Sequence, residues 1–234
     1  GAVERVDGPA GGGDTVDVLS AGGEFLARAA YSPLSQIRAR VWTRGEGEDV
    51  DRGFFMRRLE QALKLRAVFA GQAGAGADTA AVRLVHGESD GLPGVIVDRY
   101  ADTLVLQALS AGAERWKQTL AELLVEQTGV KNVYERSDVD VRRLEGLEER
   151  IGPLCGAEPD STIISEGYGL RFRVDVKTGQ KTGFYIDQRN NRKRLGEMAQ
   201  GRDMLNCFCY TGGFTLYGLA GGANSVLSID SSAE

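Results

Sequence analysis

Residues 204–230 have the sequence MLNCFCYTGGFTLYGLAGGANSVLSID, and this stretch decides the fold of the C-terminal part of the chain. Met204 to Cys209 is an apolar run with one polar interruption, which is typical of a strand buried on both faces. Thr211 to Gly213 predicts a tight turn, and Phe214 to Ala220 predicts a short helix that two glycines end. Val226 to Asp230 then predicts a second buried strand. Strand, glycine turn, helix and strand form a βαβ unit, which implies a parallel sheet.

The glycine turn and the acidic residue after the second strand suggest a nucleoside-containing ligand. Glycines let a ligand approach the backbone, and Asp230 at the strand tip can accept hydrogen bonds from ribose hydroxyls. NAD-type and S-adenosylmethionine-type sites both use this arrangement. The dinucleotide pattern G-x-G-x-x-G is absent, because the turn reads TGGFTLYG from Thr211. S-adenosylmethionine, which has no pyrophosphate, is therefore the better fit. A purely structural strand-to-helix turn remains the alternative.

The segment before this unit, Lys177 to Arg192, has the sequence KTGQKTGFYIDQRNNR and is dense in polar, aromatic and basic side chains. We expect a helix from Asp187 to Gln200, with Asp187 as its N-cap, and the polar residues before it near the same sheet edge. Between Lys177 and Arg202 the chain has seven basic and two acidic residues, against a net charge of −5 overall. This basic island suggests a localised anionic ligand. A solvated helix face, or a structural capping region, is the alternative.

The chain divides into three parts by pattern. Residues 1–43 predict short strands of a partial β-barrel, and residues 52–180 predict an amphipathic helix followed by a compact α+β domain. Residues 181–234 hold the βαβ unit. We expect Cys155 in a loop, and Cys207 and Cys209 as small apolar residues in the first strand of that unit.

Composition narrows the class of protein. Hydrophobic residues make up 42% and charged residues 26%, as in ordinary globular proteins, and no apolar run approaches the roughly 18 residues of a membrane span. Three cysteines and one histidine argue against a disulfide framework or a zinc cluster and indicate a cytoplasmic location. Glu88, Asp90 and Asp98 could form an acidic metal cluster, but turn chemistry explains Asp90 and Gly91 without a metal, and His86 before Gly87 is expected to be structural.

The chain resembles the RlmI-like class I ribosomal RNA large-subunit cytosine-5 methyltransferases along nearly its whole length. The C-terminal segments that carry the resemblance are 181–192, 205–208 and 210–214, and the upstream ones are 31–40, 87–94 and 135–138. It implies an α+β central domain, with a partial PUA-like RNA-binding barrel before it and the start of an α/β Rossmann-like methyltransferase domain after it.

The resemblance also implies the cofactor and the partners. The cofactor is S-adenosylmethionine, with its methionine end at the turn of Tyr210 to Gly213 and its ribose at Asp230. The partner is large-subunit ribosomal RNA, with no membrane, and the open edge at Val226 to Asp230 leaves a homodimer as an option. The expected cofactor-binding residues are Tyr185, Gln188, Arg192, Asn206, Tyr210, Thr211, Gly212, Gly213 and Asp230.

Catalysis is expected to need a residue outside this sequence. Methylation of cytosine C5 requires a thiolate that attacks C6 and a base that removes the C5 proton. In such enzymes the cysteine follows later strands, so we expect no catalytic residue before Glu234 and no activity from this chain alone. Two alternatives stay open: a non-catalytic RNA-binding module, or a methyltransferase of this architecture that acts on another base such as guanine.

Overall fold

A computed structural model describes residues 3–72, 81–165 and 168–231. The N-terminal part is a three-stranded antiparallel sheet of β1 (Thr15–Leu19), β2 (Phe25–Tyr31) and β3 (Ala39–Thr43), with β2 in the middle. This agrees with the short strands that the sequence predicts there.

The central part is a five-stranded sheet with two long helices. Helix α1 (Arg52–Gln72) precedes β4 (Ala81–His86), β5 (Val95–Tyr100) and β6 (Thr103–Ala108); helix α2 (Ala111–Thr128) then leads to β7 (Asn132–Ser137), the short α3 (Val141–Leu144) and β8 (Arg150–Cys155). The strands lie in the order β4-β5-β6-β7-β8, and only β6 and β7 are parallel, because α2 forms the crossover between them. The apolar face of α1, with Phe54, Phe55 and Leu59, is fully buried in this core.

The N-terminal sheet packs directly on the start of α2. A Cβ atom at Gly112 would lie 2.3 Å from Ala30 Cβ and 2.8 Å from the Trp42 ring, so a side chain has no room there. This close approach explains a glycine in the first turn of a helix, where glycine otherwise weakens helical structure.

The expectation of a loop around Cys155 is wrong, because Cys155 ends strand β8. The glycine and proline at 152 and 153 favoured a loop. However, β8 is the outermost strand of its sheet, where Pro153 can pair with Tyr134 although it has no N–H to donate to the ladder.

A hairpin of β9 (Thr162–Ser165) and β10 (Arg171–Val174) joins the central part to the C-terminal part. The strand-like runs at 163–166 and 170–176, with glycines at 167 and 169 between them, predict this hairpin; positions 166 and 167 lie outside the described residues. Phe172 packs with Phe184 at 5.0 Å between ring centroids and stacks on Tyr217 at 6.4 Å, with Tyr100 of β5 in the same core. One apolar cluster therefore spans both parts of the chain.

The C-terminal part is the predicted βαβ unit. Helix α4 (Arg189–Met198) is followed by β11 (Asp203–Cys207), α5 (Gly213–Ala220) and β12 (Ser225–Ile229), and the two strands are parallel. The predicted parallel pairing is confirmed.

Two finer expectations about this unit are wrong. The strands are not buried on both faces: Leu205 and Leu227 are each 62% exposed, and Cys207 is exposed, because in the described residues these two strands form a sheet of their own. Asp187 is not the N-cap of the helix. It lies inside a 3₁₀ turn, Ile186–Gln188, in which the Gln188 N–H bonds back to the Tyr185 carbonyl, and α4 begins only at Arg189.

Candidate cofactor site

The turn between β11 and α5 has an unusual backbone. Phe208 and Tyr210 have φ angles of 59° and 48°, in the left-handed region that non-glycine residues rarely adopt, and Gly212 follows with 73°. Two hydrogen bonds tie this turn to the end of β12. The Tyr210 N–H donates to Asp230 Oδ2 at 2.8 Å, and the Cys209 N–H donates to the Ile229 carbonyl at 3.2 Å. Such local strain persists only where surrounding contacts fix it, and it is concentrated at functional sites.

The Tyr210 side chain reaches the segment before α4. Its hydroxyl accepts the Gln180 N–H at 2.9 Å and donates to the Gly183 carbonyl at 3.2 Å. Its ring meets the Tyr185 ring edge to face, with centroids 5.6 Å apart, and the Tyr185 hydroxyl donates to Gln180 Oε1 at 2.8 Å. Burial raises the pKa of the Tyr210 hydroxyl.

Arg192 lies beneath the turn and is 2% exposed. Its guanidinium donates to the Tyr185 carbonyl at 3.0 Å and lies 4.7 Å from the centroid of the Phe184 ring. A Cβ atom at Gly213 would be 3.0 Å from Arg192 Cδ. The glycine therefore lets the arginine stem pack directly against the start of α5, and Arg192 supports the turn from below.

Helix α5 begins at this turn with Gly212 as its N-cap, and no side chain of the described residues makes a cap hydrogen bond there. The Leu216 N–H bonds to the Gly212 carbonyl, which leaves the first amides of the helix without an intrahelical acceptor. Amides in this position, together with glycines that carry no side chain, favour close approach of a ligand to the backbone.

Asn206 and Gln188 make contacts away from this turn. Asn206 Nδ2 donates to Thr215 Oγ1 at 2.9 Å, and Thr215 shares a hydrogen bond with Ser228 at 2.6 Å, so Asn206 ties β11 to α5 and β12. Gln188 accepts from Asn191 Nδ2 at 2.9 Å at the start of α4. Of the residues that the sequence singles out, six are therefore brought together around one turn: Tyr185, Arg192, Tyr210, Gly212, Gly213 and Asp230. Thr211 is exposed on the same turn.

Sequence reasoning missed three residues of this arrangement, namely Gln180, Thr182 and Gly183. Gln180 and Gly183 supply the backbone groups that hold the Tyr210 hydroxyl, and Thr182 is fully buried between them. The density of polar groups from Lys177 to Arg192 was a signal for the segment as a whole. It did not distinguish backbone contacts from side-chain contacts.

Internal contacts account for part of the basic island. Lys177 pairs with Glu158 at 3.4 Å, Lys193 pairs with Glu197 at 3.2 Å, and Arg189 donates to the Ala81 carbonyl. With Arg192 buried as well, four of the seven basic side chains have structural contacts, and Lys181, Arg194 and Arg202 are exposed. The structural alternative therefore explains more than half of the island.

The other candidate groups also have structural contacts. Asp90 forms a bidentate ion pair with Arg66, with N–O distances of 2.5 and 2.7 Å. Asp98 forms one with Arg83, with N–O distances of 2.8 and 2.9 Å. Across residues 3–72, 81–165 and 168–231, no group of three or more His, Cys, Asp or Glu side chains is arranged to hold a metal ion. Burial raises the pKa of the Cys155 thiol.

Within residues 3–72, 81–165 and 168–231, no helix combines the length and apolar character of a membrane span.

Comparison with known proteins gives matches at both ends of the chain. Residues 148–234 match the model of the S-adenosylmethionine-dependent methyltransferase family, and residues 1–44 match the model of the PUA-like domain. The chain is 50% identical over 228 residues to ribosomal RNA large subunit methyltransferase I of Aliivibrio fischeri strain ES114. It is 48% identical over 230 residues to the protein of that name from Tolumonas auensis. These matches cover 97% and 98% of the chain, but the chain spans only 57% of each relative.

Two solved structures share the fold. A SAM-dependent methyltransferase from Streptococcus mutans superposes with a TM-score of 0.79 at 23% identity, over 97% of this chain and 57% of that one. A methyltransferase complexed with SAH superposes with a TM-score of 0.80 at 23% identity, over 95% and 55%. Together with the family models, these matches confirm the predicted fold class: a PUA-like N-terminal part, an α+β centre and the start of a Rossmann-like methyltransferase domain.

Proposed function

We propose that this chain supplies half of the cofactor site of an enzyme that methylates cytosine C5 in large-subunit ribosomal RNA. The chain belongs to the ribosomal RNA large subunit methyltransferase I family of S-adenosylmethionine-dependent methyltransferases. The observation that carries the proposal is the hydrogen bond from Tyr210 N–H to Asp230. It joins the glycine turn of the first parallel strand to the acidic residue at the tip of the second.

The residues present fit S-adenosylmethionine. Asp230 is exposed at the carboxyl end of β12, where its carboxylate can accept hydrogen bonds from ribose hydroxyls. Gly212, which carries no side chain, would let the methionine end approach the backbone of the turn and the first amides of α5. Tyr185 forms one wall together with the Tyr210 ring. When bound, the cofactor supplies an electrophilic methyl group, and these residues bind and orient it.

The three cysteines of this chain are poor candidates for the nucleophilic thiolate. Cys155 ends a strand of the central sheet, and burial raises its pKa, which disfavours the thiolate form. Cys207 and Cys209 belong to β11 and the strained turn after it, where Cys209 Sγ lies 3.9 Å from the Tyr210 carbonyl. We therefore propose that the thiolate comes from elsewhere in the full-length protein and that this chain alone transfers no methyl group.

The proposed partner is large-subunit ribosomal RNA, bound in part by the PUA-like N-terminal sheet, and the proposed location is the cytoplasm, where that RNA is found. Relatives named for this activity, at about half identity over nearly the whole chain, support the RNA class. Retained RNA affinity without any cofactor binding would favour a non-catalytic RNA-binding module instead.

Calorimetric titration of the chain with S-adenosylhomocysteine tests the cofactor half-site. Asp230→Asn keeps an acceptor for the Tyr210 N–H but removes the charge that strengthens hydrogen bonds to ribose, so we expect about tenfold weaker binding. Asp140→Asn is the matched control, because that carboxylate is 93% exposed on the central part. Equal affinity of parent and Asp230→Asn, or no binding by the parent, would contradict the proposal. Labelled methyl incorporation into ribosomal RNA by this chain would contradict its predicted inactivity.

A further inference from the structure

A buried carboxylate of the central sheet holds the segment that contacts Tyr210. Asp98 on β5 is 1% exposed and accepts two hydrogen bonds from the Arg83 guanidinium. It also accepts one from Thr182 Oγ1 at 2.6 Å. Thr182 is completely buried, so its hydroxyl exchanges no hydrogen bonds with solvent and depends on its protein partners.

Counting protons fixes the direction of this network. The Thr182 hydroxyl has one proton, and it goes to Asp98, because a carboxylate paired with Arg83 only accepts. In the 2.8 Å contact with Thr182 Oγ1 the Tyr100 hydroxyl is therefore the donor, and it shares its proton with the Phe184 carbonyl at 3.2 Å. It accepts the Phe184 N–H at 3.2 Å. Burial, and then the charge of Asp98, raise the pKa of Tyr100, which keeps this proton in place.

The two residues anchored in this way flank Gly183. The Gly183 carbonyl accepts a hydrogen bond from the Tyr210 hydroxyl. Gly183 has a φ angle of 130°, and a Cβ atom there would lie 2.9 Å from Val174 Cγ1, so the position has no room for a side chain. Since Thr182 and Phe184 are both tied to β5, the carbonyl between them has little freedom to move.

A second anchor holds the start of the same segment. Arg136 on β7 is 5% exposed and donates to the Val176 carbonyl at 2.6 Å and to the Gly179 carbonyl at 3.0 Å. The central sheet therefore fixes the backbone on both sides of Gln180, whose N–H bonds to the Tyr210 hydroxyl.

We infer that Thr182 is a positioning residue through which the central sheet sets the geometry of the cofactor half-site. The path runs from Asp98 through Thr182 to Gly183, from there to the Tyr210 hydroxyl, and through the Tyr210 N–H to Asp230. This inference deepens the proposed function and rests on it for its bearing on cofactor affinity. The coupling between Thr182 and the turn can be measured without any cofactor.

The test compares Thr182→Val, which keeps the shape and removes the hydroxyl, with Thr182→Ser, which restores it. Hydrogen–deuterium exchange is followed in residues 178–185, residues 208–213 and β5. We expect exchange about tenfold faster in the first two regions of Thr182→Val, no change in β5, and recovery in Thr182→Ser. S-adenosylhomocysteine should bind Thr182→Val about tenfold more weakly. The control is Thr103→Val, because Thr103 is also buried but its hydroxyl makes only a 3.4 Å contact with Asp102.

Several outcomes overturn the inference. The inference is wrong if Thr182→Val behaves like Thr103→Val. It is also wrong if the faster exchange is confined to residues 178–185, because either result shows that Thr182 does not act on the turn. If Thr182→Val does not fold, Thr182→Ala compared with Thr182→Ser decides in the same way, since only serine keeps the hydroxyl that bonds to Asp98. A parent chain that fails to bind S-adenosylhomocysteine contradicts the proposed function, whereas the exchange comparison still decides the coupling.

Discussion

The central part of the molecule is joined to its two neighbours by joints of different chemistry. At the N-terminal joint, the buried carboxylate of Glu145 accepts hydrogen bonds from Ser32 at 2.8 Å, Ser35 at 2.6 Å and Arg40 at 2.9 Å. At the C-terminal joint, the carboxylate of Asp98 accepts from Thr182, but the surrounding contacts are mainly apolar, with the rings of Phe172, Phe184 and Tyr217 among them. The N-terminal joint adds a buried charge to the packing of Ala30 and Trp42 on α2, whereas the C-terminal joint rests mainly on packing, so the two should respond to different perturbations.

Removing an aromatic ring from the C-terminal joint should have the largest effect. Phe172→Ala should lower the free energy of unfolding by about 3–4 kcal/mol, because Phe172 is buried between the Phe184 and Tyr217 rings and its loss leaves a cavity. Denaturant unfolding measures this, with Phe208→Ala as control, since that ring is 85% exposed. If both variants lose the same stability, the C-terminal joint is not held by packing.

Removing the charge at the N-terminal joint should cost less. Glu145→Gln keeps the side-chain shape but gives the Arg40 guanidinium a neutral partner, and an amide N–H₂ then faces donors. We expect a loss of about 2 kcal/mol in the free energy of unfolding. Glu149→Gln is the control, because that carboxylate is about half exposed and pairs with the exposed Arg143. Equal stability of Glu145→Gln and the parent would contradict a charge-dependent joint.

The same joint should give the protein an acid-sensitive component of stability. Burial opposes ionisation of Glu145, but the hydrogen bonds from Ser35, Arg40 and Ser32 outweigh it and lower the pKa of the carboxyl in the folded state. A lowered pKa stabilises the fold above the unfolded value of about 4.3, and this stability is lost as the pH falls through the folded value. The thermal midpoint should therefore fall less between pH 7 and pH 3.5 in Glu145→Gln than in Glu149→Gln.

Periodicity and turn chemistry predicted most of the strands and the βαβ unit, because these depend on neighbouring residues. They did not predict β8, since Pro153 is acceptable only at the edge of a sheet, and edge position depends on the order of strands. They placed Tyr210 and Asp230 at one turn through the glycine pattern. They missed Gln180 and Thr182, whose contacts come from backbone groups and from a strand more than 80 residues away.

The smallest predicted effect separates a real helix cap from an apparent one. Ser110 is the N-cap of α2, and its hydroxyl accepts the Ala113 N–H at 3.3 Å; Asp187, which the sequence suggested as a cap, lies within a 3₁₀ turn before α4. Ser110→Ala should therefore lower the free energy of unfolding by about 1 kcal/mol, and Asp187→Ala should change it by less than about 0.5 kcal/mol. Denaturant unfolding of the two variants side by side measures the difference. A loss in Asp187→Ala equal to that in Ser110→Ala would show that Asp187 stabilises α4 in solution and would restore the sequence-based interpretation.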